Sequence, residues 1–520
     1  MKSKTFLTIV CGLALLFAGC TPAENPGGTL QPDGVQQISQ ALQTLSVSEN
    51  AVRIVLSDTG ITVDGSAVTE DASQPVYTAK DIVFYQEGKD FTYGEGEAKD
   101  AHPQAEADAH TVVHIAKPGE YVISGKLSAG QIAVDLGEDA KEDPDAVVTL
   151  VLDNADITCT VAPAVIFYNV YECGIKDEST ATMDADTTAA GARVLIADGS
   201  TNDIRGAYVA KIYKSVELSE DGTEVVDSKK LHKYDGAFYS KQSLNIYGGK
   251  KNDGILRIYG ENEGLDSELH LTMYSGNVYI QSGNDGINTN EDNISVTRIS
   301  GGNLTVEVTG VTGEGDGIDS NGWLVIDGGK VNAYACGFSG DAGVDADKGV
   351  YICGGELVAT GNMFDRVESS LTHGVFIFSQ KQKGGQTYTL KDEAGETVVS
   401  ATPSNDLKYL VVFSPNLKEG DHTLWQGETQ LSGSKAAGGQ MGGRPMDGGF
   451  GQQPPEGMEM PQGFQPPEGM APPEKPNGME PPDGMSAPGG TGKPQGGNFG
   501  VTGKKSENFV FTKGANYFTV

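Results

Sequence analysis

Pairs of small turn residues recur at Gly248-Gly249, Ser275-Gly276, Gly301-Gly302, Gly328-Gly329 and Gly354-Gly355, at spacings of 27, 26, 27 and 26 residues. Each pair separates two short stretches in which apolar and polar residues alternate, as in SLNIYGG/ILRIYG, LHLTMYSG/NVYIQSG and ISVTRISGG/NLTVEVTG. Alternation with a period of two sends one side of each strand into a core. The inward residues line up from copy to copy. Leu244, Leu271, Thr297, Leu324 and Val350 form one column, and Ile246, Met273, Ile299, Ile326 and Ile352 a second. Val278, Leu304, Val331 and Leu357 form a third. A unit this small cannot bury its own core and must stack on its neighbours. The prediction is an all-β solenoid, and a coil of this size suits a parallel β-helix. A β-propeller needs about 40 or more residues per blade.

The same pattern begins earlier, in GEYVISGKLSAGQIAVD and VVTLVLDNADITC, and a polar insertion, KSVELSEDGTEVVDSKKLHKYDG, interrupts it. The boundaries read from the sequence are these. Residues 1–19 are a signal peptide with a short apolar run, too short for a spanning helix. Ala18-Gly19 before Cys20 resembles a bacterial lipobox, which implies cleavage there and lipidation of the Cys20 thiol. Residues 20–48 are a flexible tether, and 49–365 the β-helix with its N-terminal cap. Residues 366–433 are a small C-terminal β cap, and 507–520 its final strand. Between them, 434–506 is a Gly-, Pro-, Met- and Gln-rich insertion that cannot bury a core and is expected to be disordered. The expected location is extracytoplasmic, anchored to the bacterial envelope by the lipid alone. Cys159, Cys173, Cys336 and Cys353 fit no zinc spacing; small buried residues or disulfides both remain open.

Charge narrows the partners. The chain carries 71 acids against 37 lysines and arginines, a formal net charge of -34. That disfavours nucleic acid and favours cations. A polyanionic ligand would need a metal between it and the protein. The acids are also patterned. YDGAFYS, NEGLDSE, NDGINTN, GDGIDSN and DAGVDAD superpose on their glycine. One column then reads Asp235, Glu263, Asp285, Asp316 and Ala342, and a second Phe238, Asp266, Asn288, Asp319 and Asp345. A third reads Ser240, Glu268, Asn290, Asn321 and Asp347, while Glu314 lies just before the fourth copy and Asp341 opens the fifth. Stacking would hold such acids about 4.8 Å apart, where they either raise one another's pKa or recruit a cation. Donors that are all oxygen, with no His or Cys nearby, select calcium. The alternative is a ladder of side chains capping tight turns. The metal candidates are Glu263, Asp266, Asp285, Asn288, Glu314, Asp316, Asp319, Asn321, Asp341, Asp345 and Asp347.

The repeated DGI[DN]S/T followed by I.GG.L.V, with the upstream GEYVISGKLSAGQIAVD, resembles a family of secreted bacterial carbohydrate-binding proteins described as binding cellulose and polygalacturonate. The likeness covers about residues 50–361. It implies a right-handed single-stranded parallel β-helix with bound calcium, similar in fold to the pectate lyases. YDGAFYS departs from the pattern, because Phe238 stands where the acid should be, and a metal at that coil is therefore in doubt.

Sugar binding also calls for aromatic platforms. By alternation Trp323, Tyr247, Tyr274, Tyr279 and Tyr334 point outward, and these are the candidate sugar contacts. The expected function is capture of plant cell-wall polysaccharide without catalysis, by a monomer. The rivals are a calcium-dependent lyase and a structural or adhesive surface protein. A lyase needs a neutral Lys or Arg as base, and Lys348 and Lys241 lie beside the acid columns. Asp345 and Asp347 would hold Lys348 protonated.

Overall fold

The computed structural model describes residues 43–436 and 504–520. The signal peptide, Cys20 and nearly all of the tether and of the Gly/Pro/Met-rich insertion lie outside the described residues. What is described is nearly all β, and its longest α-helix is the single short Gln104–Ala109. No helix among the described residues is long and apolar enough to cross a membrane.

The strands build three stacks in which each strand pairs in parallel with its equivalent one copy further on. The first stack runs through Ala192–Ile196, Leu244–Gly248, Leu271–Met273, Val296–Ile299, Trp323–Ile326 and Val350–Ile352. The second runs through Thr201–Gly206, Ile255–Gly260, Asn277–Ser282, Asn303–Val308, Lys330–Tyr334 and Glu356–Gly361. The third runs through Val165–Asn169, Gly236–Ser240, Glu263–Ser267, Ile287–Thr289 and Ile318–Ser320. The long strand Val148–Cys159 contributes its first half to the first stack and its second half to the second.

The three inward columns read from the sequence pair as expected. Leu244 sits opposite Leu271, Met273 opposite Ile299, and Val331 opposite Leu357. All are buried, and they meet in one apolar core. Each such side chain contributes about 1.5–3 kcal/mol when fully buried, so the stack is held by many equal increments.

Two kinds of glycine make the coil possible. In four of the five turn pairs the second residue has a positive φ, at 80° for Gly302, 72° for Gly329 and 71° for Gly355, a conformation open to glycine without strain; Gly249 is the exception. Gly286 instead marks a close approach of coils: a Cβ there would meet Val306 Cγ1 at 2.0 Å and the Gly317 carbonyl at 2.6 Å. A Gly286→Ala variant is expected to lose about 1–3 kcal/mol to overpacking, read as a lower urea midpoint.

One alignment needs correction. In the first copy Gly236 pairs with Glu263, Phe238 with Leu265 and Tyr239 with Asp266. The sequence columns had set Phe238 against Asp266. Phe238 is buried against Phe167 at 6.4 Å, and the sequence register would have turned that ring to the outside, since a slip of one residue reverses every side chain. Ser240 accordingly pairs with Ser267, not with Glu268.

Beyond the last copy the first stack gains one more parallel strand, Val367–Glu368, while the second stack is met by an antiparallel one. Leu407–Phe413 lies along Glu356–Gly361 and along His373–Gln382. Ala515–Thr519 returns beside His373–Gln382 in parallel. Gly420–Gln426 pairs with Tyr388–Lys391 and Phe509–Phe511. A second apolar cluster centred on Phe376, Phe509, Phe511 and Phe518 fills this end.

Candidate functional site

The acids gather on the outer side of the third stack and in the turns that lead into it. Asp266 sits opposite Asn288, and Asn288 opposite Asp319. The bridge from Ile318 to Val344 carries the column on to Asp345. Carboxylate oxygens of Asp316, Asp319 and Asp345 all lie within 4.8 Å of one another.

These carboxylates do two things. One oxygen commonly ties a coil to its neighbour: the Asp316 N–H donates to Asp285 Oδ1 at 2.6 Å, and the Ala342 N–H donates to Asp316 Oδ1 at 2.6 Å. Asp341 accepts from the Gly315 N–H at 2.7 Å and from the Ser339 hydroxyl. These bonds to backbone amides run between copies rather than within a turn, so they differ from the turn-capping alternative. They do not use every oxygen. Glu263 Oε2, Asp266 Oδ2 and Asn288 Oδ1 are buried without any hydrogen-bond partner, while Glu263 Oε1 accepts from Asn288 and Asp266 Oδ1 from Asn290. Leaving such oxygens unpaired costs about 1–3 kcal/mol each, more when charged.

The electrostatics follow. Burial, then Asp266 and Asp235, push Glu263 well above the usual carboxylate range. Burial, then Asp235 and Glu268, do the same to Asp266. Burial, then Asp319 and Glu263, raise Asp285, and burial, then Asp285, Asp319 and Asp345, raise Asp316. A divalent cation coordinated by oxygen would relieve both the repulsion and the unpaired lone pairs. The residues that fit it are Asp316, Asp319 and Asp345 at one end, and Glu263, Asp266 and Asn288 at the other.

Three other candidates stand apart. Glu314 and Asp347 are exposed. Asn321 spends its amide hydrogens on the Asn290 carbonyl and on Asp292 Oδ1, each at 2.9 Å.

Two features escaped the sequence columns. Asp365 continues the acid row past the last full copy: burial, then Asp345, push it up to about 6. It falls outside the period, so alignment could not find it. At the opposite end, Lys233 Nζ lies 2.6 Å from Asp235. Although burial alone would lower it, Asp235, Glu263 and Asp266 hold its pKa above the ordinary lysine value. Lys233 comes from the polar insertion, which folds as an antiparallel hairpin of Val209–Leu218 and Val225–Tyr234. It supplies a cation of the protein's own where the row begins.

The aromatic candidates divide. Tyr247 and Tyr274 stack on each other at 4.9 Å, but both are buried beneath Leu45 and beside Thr187, whose hydroxyl reaches Tyr274 at 3.4 Å. Tyr334 is buried under the C-terminal strands. None of the three has a ring face to offer a sugar: alternation correctly turned them outward, and other segments then covered them. Trp323 is half-exposed, packed on Val296, Val325 and Met183. Tyr279 is half-exposed and donates to Glu307 at 2.8 Å.

The base candidates differ as well. Lys348 is exposed. Lys241 lies 5.5 Å from the centres of both the Tyr168 and Tyr234 rings, and burial lowers its pKa despite the pull of Glu268. Cys159, Cys173 and Cys336 are free thiols, which leaves Cys159 and Cys336 as small buried core residues.

The third stack thus carries the acid row, and the first and second carry the half-exposed Trp323 and Tyr279. The chain belongs to the family of carbohydrate-binding domain-containing proteins, whose match spans residues 109–374, just over half of the sequence. Among solved structures, a polysaccharide lyase-like protein from C. thermocellum, a gadolinium derivative, is similar at 19% identity over 59% of this chain and 92% of that one, with a TM-score of 0.32. That likeness is too distant to define fold or chemistry. No curated protein matches the chain.

Proposed function

We propose that this is a surface-anchored, non-catalytic carbohydrate-binding protein that captures plant cell-wall polysaccharide, polygalacturonate foremost, with calcium held along the acid row. The register of the three stacks, one copy per step, supports reading them as a single-stranded parallel β-helix, right-handed as the family resemblance implies. Lipidation of Cys20 would tether it outside the cell. The observation that carries the reading is the set of buried, unpartnered oxygens on Glu263, Asp266 and Asn288, within a chain of this family. A strongly acidic protein holds an acidic sugar only across a cation, and calcium keeps coordination open for a uronate carboxylate.

Affinity electrophoresis through polygalacturonate, with calcium and then with chelator, tests it. Retention abolished by chelator is the expected result. Equal retention in both conditions, or none in either, overturns the bridging role.

One observation favours a second reading, a lyase acting by β-elimination. Lys241, its pKa lowered by burial, would take the proton from the ring carbon bearing the carboxyl as the glycosidic oxygen departs. The same samples, read for the ultraviolet absorbance of an unsaturated product, decide it. A rise that Lys241→Ala removes would make the protein an enzyme.

A further inference from the structure

The outer surface of the second stack differs from every other long face of the fold. The middle of the first stack's outer face is roofed by Thr187 and Leu45. The acid row occupies the outside of the third. The last strands of the second stack are closed off where Asn405 donates to the Val308 and Ala335 carbonyls, at 2.6 and 2.7 Å. Between Val148–Cys159 and Asn303–Val308 the second stack stays open, and its outward side chains are mostly half-exposed, with Thr201, Ile255 and Asn303 exposed.

Those side chains form a connected array across five strands. Arg205 bonds Asp156 at 2.9 Å and lies 3.3 Å from Asp203. Arg257 grips Asp203 with two bonds, at 2.6 and 2.8 Å. The Arg205 guanidinium lies over the Tyr259 ring at 4.9 Å, and Tyr259 meets Tyr279 edge-on at 6.2 Å. Tyr279 in turn donates to Glu307, with Gln281 beside it. With Lys126 on Asp156, the array's charges cancel, in a protein whose net charge is -34.

A bidentate, networked array of half-exposed charges adds to stability, and its order also prepares it for a ligand. It has what a sugar chain requires. Two tyrosines present apolar ring area beside water. Guanidinium, carboxylate and amide groups are already fixed in place to meet hydroxyl pairs, which lowers the ordering cost of binding. Strands step by about 4.8 Å, roughly one pyranose ring. Lacking net charge, the face gives no advantage to a polyanion and needs no metal.

We infer that this face, centred on Tyr259, Tyr279, Arg257 and Gln281, is a second, metal-independent glycan site that takes an extended, uncharged polysaccharide lying across the strands. The inference rests on the carbohydrate-binding reading but not on the acid row.

The test is affinity electrophoresis of the whole protein through soluble mixed-linkage β-glucan, xyloglucan and galactomannan, with polygalacturonate in parallel, each with calcium and with chelator. At least one uncharged glycan should retard the protein equally in calcium and in chelator. Tyr259→Ala with Tyr279→Ala should weaken that retention at least about tenfold. Tyr279→Phe, which keeps the ring, should retain most of it, and melting curves confirm that the variants are folded. Polygalacturonate retention should be the same in the double variant as in the parent. If a folded double variant is retained as well as the parent, the site is wrong. If no uncharged glycan retards the unaltered protein, the inference falls, while calcium-dependent retention on polygalacturonate would leave the acid-row reading standing.

Discussion

Calcium added to the metal-free protein at neutral pH should raise its melting temperature by several degrees, and the gain should vanish in mild acid. The sign comes from the raised carboxyls. Glu263, Asp266, Asp285 and Asp316 have folded pKa values above their unfolded ones. The stability linked to such groups is fully present below the unfolded carboxylate values, about 4. It is lost as pH rises through the folded values, with Asp365 at about 6 marking one step. Without metal, therefore, the melting temperature should fall as pH climbs through that range. Exposed acids held below their ordinary values by neighbouring hydrogen bonds, such as Asp71 and Asp221, push the other way, but water screens them. Bound calcium selects the ionised carboxylates and releases their protons. At a hundredfold excess of free ion over Kd it contributes about 2.7 kcal/mol. Melting curves across pH, with calcium and with chelator, check the whole pattern. A metal-free protein that gains stability steadily with pH, and ignores calcium, would remove the acid row from the mechanism.

Asp266→Asn should make the metal-free protein more stable at neutral pH while shrinking its response to calcium. The asparagine keeps an oxygen to accept from Asn290, which bonds Asp266 Oδ1 at 2.7 Å in the parent. It removes one buried negative charge, and with it the unpartnered Asp266 Oδ2 carboxylate oxygen. Relief of an unsatisfied buried group amounts to about 1–3 kcal/mol. A substitution that stabilises the protein while weakening ligand response is the mark of a site shaped for binding at the expense of the fold. The outcome against it is equally clear. A variant that melts lower than the parent and keeps its full calcium gain would mean that the Asp266 carboxylate is structural alone.

The stacking was legible because it depends on residues that repeat. The period-two alternation fixed which of Leu324, Val325 and Ile326 face inward, and the turn glycines set the register between copies. The first copy was misread for a physical reason: matching on the glycine alone ignored Phe238, whose size decides its side. Covering segments were also beyond reach, because nothing near Tyr247 or Tyr274 in sequence announces that residues around 45 and 187 will fold over them. The acid row was readable as a column of residue types. Which oxygen of Asp316 ties the next coil could be seen only once the strands were placed, and so could the insertion of Lys233 into the row from a hairpin. The charge-balanced array around Tyr259 was hidden for a similar reason. Asp156, Asp203 and Arg257 lie in three different copies and match no motif.

The antiparallel strand Leu407–Phe413, laid against Glu356–Gly361, has a consequence for assembly. A stack of parallel strands ends in a row of unsatisfied amides and carbonyls of the same polarity as its own beginning, so bare ends on two molecules could join head to tail without limit. A strand running the opposite way changes that edge and ends the series. Removing it would convert a discrete binding protein into the subunit of a filament, and light scattering on a chain truncated before residue 366 would reveal such growth.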